Sequence, residues 1–112
     1  MTDYGKDWGT LIENYRTHLR FERKLSKNTI EAYMRDVGQF RGFIEKNYDI
    51  LPGEVGNTHI EAYMSEIYER GMKSASQARQ LSGLKSFFVF LQIAEVTESS
   101  RAEFVDTPKI GR

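Results

Sequence analysis

Two short stretches hold the side chains that could do chemistry. One is Lys27-Asn28-Thr29, with Arg35 two helical turns further on. The other is a run of small and cationic residues, Ser76, Arg79, Ser82, Gly83 and Ser86, with Lys85 at its border. Neither stretch pairs a nucleophile with a base. Both set short hydroxyl or amide side chains beside guanidinium or ammonium groups, which suits close approach to a sugar–phosphate backbone. The first stretch also opens a predicted helix, and a helix N-terminus carries free N–H groups and a partial positive charge that favour phosphate. From Met72 to Ile93 there are three bases and no acid. A solvated helix face of that length ordinarily carries some Glu. A plain capped surface helix and a plain solvated face are the bland alternatives, and these residues by themselves leave them open.

Other chemistries lack their residues. There is no cysteine, hence no disulfide framework, thiol nucleophile or Cys-ligated zinc. His18 and His59 are the only histidines, and neither belongs to an HExxH-type pair, so no metal site and no cofactor is expected. No GxSxG, Walker or glycine-rich phosphate loop occurs. No run approaches the roughly 18 apolar residues of a membrane span, and Met1–Asp7 does not start a signal peptide. The cytoplasm is the expected location.

These side chains need helices to position them. Leu11, Ile12, Tyr15 and Leu19 share one face of a helix predicted from about Trp8 to Lys24. Ile30, Tyr33, Val37, Phe40 and Ile44 form the stripe of a second, from about Asn28 to Lys46, with Asn28 and Glu31 reading as a capping box and Ser26 as a rival cap. Asn47-Tyr48-Asp49 and Pro52-Gly53 break the chain. Thr58 to Glu61 reads as a capping box for a third helix bearing Ile60, Met64 and Ile67, closed at Arg70-Gly71. Ser74 with Gln77 would cap a fourth, whose buried stripe is Ala78, Leu81, Leu84, Phe88 and Leu91, widened by Phe87 and Phe90. A short fifth helix near Glu98–Phe104 is a further candidate, and 106–112 has linker composition. Trp8, Tyr15, Phe40, Phe43, Phe87 and Phe88 are expected in the core. The 112 residues fit one domain, an all-α bundle of two helical hairpins.

The formal net charge is zero, which taken whole argues against a nucleic-acid binder. Its distribution argues the other way. Residues 16–35 carry net +4, residues 72–93 net +3, and residues 45–69 net −5. Segregation of this kind predicts a molecule with a basic and an acidic side.

Ser26-Lys27-Asn28-Thr29-Ile30 through Tyr33, then Asp36-Val37, Phe40 and Phe43-Ile44, resembles the S-x-N-T-x-x-x-Y-x-x-D-L-x-x-F-x-x-F pattern of the N-terminal core-binding domain of tyrosine recombinases, closest to the Xer and phage-integrase branch. Ser76 through Phe88 resembles that family's S-x-A-R-x-L-S-A-L-R-x-F-F-x-F-L helix, and Thr107-Pro108-Lys109 its S-P-K lead into a linker. Val37 for Leu and Gly83 for Ala are mild departures. The match runs from about Trp8 to Lys109.

The resemblance implies a SAM-like bundle of two crossed helical hairpins forming half of a clamp around double-stranded DNA, with the second and fourth helices on the major groove of a recombination half-site. By matching position it implies contacts from Lys27, Asn28, Thr29 and Arg35, from Ser74, Ser76, Arg79, Ser82 and Lys85, and from Lys109 on the linker. Tyr33 matches a family position, but its place on the apolar stripe suits the core equally. Partners would be duplex DNA and other recombinase protomers. The family's tyrosine nucleophile and His-x-x-Arg element are absent here: His18 is followed three residues later by Phe21, His59 by Ala62, and the last tyrosine is Tyr68. Residues 1–107 are therefore expected to be a non-catalytic core-binding domain and 108–112 the start of a linker to a catalytic domain. The competing reading is a helical protein–protein module that docks a partner through its acidic third helix.

Overall fold

A computed structural model describes residues 7–94. Within them the chain forms α1 (Trp8–Thr17), α2 (Lys27–Asn47), α3 (Asn57–Glu69) and α4 (Ser74–Ile93). A π-helical turn, His18–Glu22, continues α1, and a 3-10 turn, Pro52–Glu54, precedes α3. The described residues contain no strand. The expected all-α, SAM-like bundle is the fold found. α1 with its π turn packs on α2, α3 packs on α4, and α2 against α4 joins the two hairpins. The expected helix at Glu98–Phe104, Lys109 and the boundary at 107/108 lie outside the described residues. Among the described residues no helix is long and apolar enough to cross a membrane.

One aromatic-rich core holds the helices together. Tyr15, Phe40, Phe87 and Phe88 are fully buried. Phe87 stacks on Trp8 with ring centres 6.2 Å apart, and Phe40 meets Phe88 edge-on at 6.0 Å. Such offset and edge-to-face pairs add to the burial of large apolar rings. Trp8 Nε1 donates to the Ile50 carbonyl at 3.0 Å, so the loop after α2 is tied to the start of α1. Of the aromatics expected inside, Phe43 is half-buried at the core margin.

Four local expectations need correction. The first helix does not stay α-helical to Lys24. It widens to a π turn, with Arg23 N donating to the His18 carbonyl, and ends at Lys24 in the left-handed region (φ 53°). Leu19, on the expected stripe, is buried, and Phe21 is exposed. The cap of α2 is Ser26, whose Oγ accepts from Thr29 N at 3.2 Å, and Asn28 lies inside the helix. Ser26 wins because its hydroxyl reaches an N–H three residues on while its own backbone stays extended. The cap of α3 is Gly56, not Thr58. His59 Nδ1 accepts from Gly56 N at 2.9 Å, taking the back-bonding role usually given to Glu. The cap of α4 is Lys73, and Ser74 is the first helical residue. Gln77 Nε2 donates to the Met72 carbonyl instead of returning to Ser74.

Candidate nucleic-acid interface

Asn28 and Arg35, seven residues apart on α2, occupy the same face about 10 Å apart along the axis. Lys27, Asn28 and Arg35 are exposed, and Thr29 is half-buried with its hydroxyl accepting from Ser26 Oγ at 2.9 Å. On α4, Arg79 and Ser82 are exposed, and Ser74, Ser76 and Lys85 are half-exposed. Every candidate within the described residues is thus at least partly reachable from solvent.

Gly83 and Ser86 depart from the expected open face. Gly83 is buried against α2, where a Cβ would lie 3.5 Å from Asp36 Cβ. Ser86 Oγ accepts from Tyr15 Oη at 2.8 Å and, more distantly, from Arg23 Nη1 at 3.5 Å. Burial pushes the Tyr15 phenol up to about 12, against the opposing pull of its hydrogen bond to Ser86. The Ser86 contact brings Arg23, after the π turn, onto the flank of α4. Composition could not reveal this, because the reach of Arg23 depends on where the π turn releases the chain.

Asp36 is the residue that sequence reasoning missed. It is fully buried, and its Oδ1 lies 3.2 Å from Nη2 of Arg79. Neither carboxylate oxygen has a hydrogen-bond partner among the described residues. Burial raises the carboxyl above its ordinary value, and the nearby charges of Arg79 and then Arg35 pull it back down. A sequence signal existed: Asp36 lies three residues after Tyr33 and four before Phe40, within the apolar stripe. A carboxylate in a stripe needs a cation from a neighbouring element. A second polar link joins the same helices. Gln80 Nε2 donates to Gln39 Oε1 at 2.6 Å, and Tyr63 Oη donates to Gln80 Oε1 at 2.9 Å. The seam between α2 and α4 therefore sets Arg79 against one buried acid.

The residues that form this seam lie within a matched family region. Residues 12–95 match the family described as phage integrase, N-terminal SAM-like domain. The chain belongs to that family. This SAM-like domain is 36% identical over 104 residues to a tyrosine recombinase of Pseudothermotoga lettingae, covering 91% of this chain and 36% of the relative. It is 34% identical over 101 residues to a tyrosine recombinase XerC of Roseiflexus castenholzii, covering 90% of this chain and 32% of that protein. A tyrosine recombinase XerD of Chlorobaculum tepidum is 28% identical over 112 residues, covering all of this chain and 36% of its own. The SAM-like domain thus spans about a third of the length of these relatives. No solved structure matches it significantly.

Proposed function

We propose that this domain binds duplex DNA as one half of a tyrosine-recombinase clamp, laying the exposed faces of α2 and α4 along the major groove of a recombination half-site. The observation that carries the reading is the seam itself. Arg79 pairs with the buried Asp36 beside an α4 face with small hydroxyls and no acid, and Arg35 is exposed on α2 next to Asp36 in sequence. Lys27 and Asn28 continue the cationic, amide-bearing surface along α2. In the longer recombinase this grip would hold DNA for strand exchange by a catalytic tyrosine on another domain, with further protomers completing a synaptic complex. This chain supplies binding and orientation, not cleavage.

A salt titration of duplex binding tests the proposal. Each phosphate neutralised should contribute about −0.9 to the slope of log affinity against log salt. A half-clamp lacks the effective concentration that a linked second module provides. Its affinity should therefore be micromolar or weaker at physiological salt, on the order of non-specific binding. Arg79→Ala should weaken binding more than Glu61→Lys, on exposed α3, alters it. The reverse order would put the DNA face on the wrong helices. No binding even at low salt would favour the protein–protein reading instead.

A further inference from the structure

We infer that Asp36 is a positioning residue: its buried carboxylate holds the Arg79 guanidinium in one orientation on the α2–α4 seam, the orientation in which Arg79 meets DNA. The inference rests on the DNA-binding reading above. Its grounds are geometric. Asp36 is fully buried, whereas the Arg79 side chain is 47% exposed, so one end of the pair is fixed in the core and the other reaches solvent. A guanidinium presents five N–H donors in a rigid planar fork. Nη2 lies 3.2 Å from Asp36 Oδ1 as a charge contact outside hydrogen-bond geometry, so the carboxylate draws the guanidinium to one side while its donors stay free to meet a phosphate or a base edge.

Stability alone does not account for the pair. A buried ion pair is often no better for the fold than well-packed apolar residues, because desolvation offsets the attraction. What it does supply is a preferred geometry. An arginine on an open helix face must give up many rotamers to bind, and one held in advance gives up fewer. Gly83 adjoins the same arrangement: Asp36 sits under the α4 surface there, in ordinary contact range of a Cβ at that position, with Oδ2 3.7 Å away.

Charge and positioning predict opposite signs, which makes the inference testable. Asp36 is a negative charge beside a surface meant for a polyanion. On charge alone, Asp36→Asn should tighten DNA binding. If Asp36 orients Arg79, the same change should weaken it.

The experiment titrates a labelled mixed-sequence duplex with the 112-residue chain by fluorescence anisotropy. The proteins are wild type, Asp36→Asn, Arg79→Ala and the double variant. Asp36→Asn should weaken binding about two- to tenfold, the scale of ordering one long side chain. It should add no weakening in the Arg79→Ala background. If circular dichroism shows that Arg79→Ala has lost its helices, Arg79→Lys replaces it. Lysine keeps the charge without the fork, so Asp36→Asn should then tighten binding. A ligand-free readout is the mobility of the Arg79 guanidinium by NMR relaxation, restricted in wild type and freer in Asp36→Asn.

Equal or tighter binding by Asp36→Asn, equal weakening in both backgrounds, or an Arg79 side chain equally mobile with and without the carboxylate would each overturn the inference. So would an Arg79→Ala domain that binds like wild type, while leaving the DNA reading standing. A wild-type domain that binds no duplex would overturn both.

Discussion

Arg79 Nη2 and Asp36 Oδ1 are 3.2 Å apart, yet the two partners occupy unlike places, one in the core and one half in water. Their removal should therefore have unequal effects. Arg79→Ala strands a buried carboxylate and should destabilise the domain by about 3 kcal/mol, the low end for breaking a buried pair. Asp36→Asn leaves an arginine that water can solvate, so its stability should stay near or above that of wild type. Urea unfolding of both variants measures the asymmetry, and a larger loss for Asp36→Asn would contradict it.

The same pair sets a pH dependence. Burial raises the Asp36 carboxyl above 3.8 despite Arg79 and Arg35, and the buried phenols of Tyr63 and Tyr15 also feel its charge. For a raised carboxyl, the folded state binds the proton more tightly than the unfolded chain. The favourable contribution is complete below pH 3.8 and is lost as pH rises through the raised value. Wild type should therefore gain stability relative to Asp36→Asn as the solution is acidified. Comparing the two proteins cancels the other carboxylates they share, including Asp7, whose hydrogen bonds to Thr10 shift it the opposite way. A stability difference that does not change with pH would show that Asp36 titrates as an ordinary carboxylate.

Much of this architecture is legible in residue spacing, because amphipathic helices must bury their stripes. Leu11, Tyr15, Phe40, Ile60, Leu81 and Leu84 fall on predicted stripes and are all buried. What spacing does not reveal is which polar groups are drawn inside by a neighbouring helix. Gln80 and Asp36 are buried where α2, α3 and α4 supply partners distant in sequence, and Gln77 where the nearby Met72 carbonyl, just before α4, accepts from it. Helix ends were misread for a related reason. At α2 both Ser26 and Asn28 can cap, and at α3 and α4 the chain enters through Gly56 and Lys73, whose side chains make no cap, so Thr58 and Ser74 fall inside the helices. The π turn had no signal in periodicity, since Leu19 fits an α-helical stripe equally well.

Gly83 offers a stabilising substitution. It sits within α4, where glycine is less favourable than alanine by about 0.8–1.0 kcal/mol. A Cβ there would make ordinary contacts, at 3.5 and 3.7 Å, with Asp36. Gly83→Ala should raise stability by about 0.5–1 kcal/mol, visible as a higher urea midpoint at unchanged slope. A loss would mean that the α2–α4 seam cannot accommodate a methyl group.

Lys24 ends the π turn with φ 53°, a conformation that costs an L-residue roughly 1–2 kcal/mol. Glycine adopts it freely but loses more backbone entropy on folding. The net effect of Lys24→Gly should be a gain of up to about 1 kcal/mol, and Lys24→Val should lose stability because a β-branched residue is poorly tolerated there. Thermal unfolding of the three proteins should rank them Gly, Lys, Val. A stable valine variant would mean that the chain leaves the π turn in another conformation.

The phenols of Tyr15 and Tyr63 provide the last prediction. Burial pushes both up to about 12, from 10.0. Each holds its proton more tightly when folded, so its contribution to stability is whole below pH 10 and declines as pH rises from 10 through 12. The domain should lose stability in that alkaline window. Absorbance at 295 nm should show the Tyr15 and Tyr63 phenols ionising late, toward pH 12. Tyr15→Phe should remove one late transition and cost about 0.5–1.5 kcal/mol at neutral pH through the lost hydrogen bond to Ser86. Tyr63→Phe should remove the other and free Gln80 Oε1 from its partner. If the Tyr15 and Tyr63 phenols ionise near pH 10 while the helices persist, then neither is shielded by the core as its burial requires.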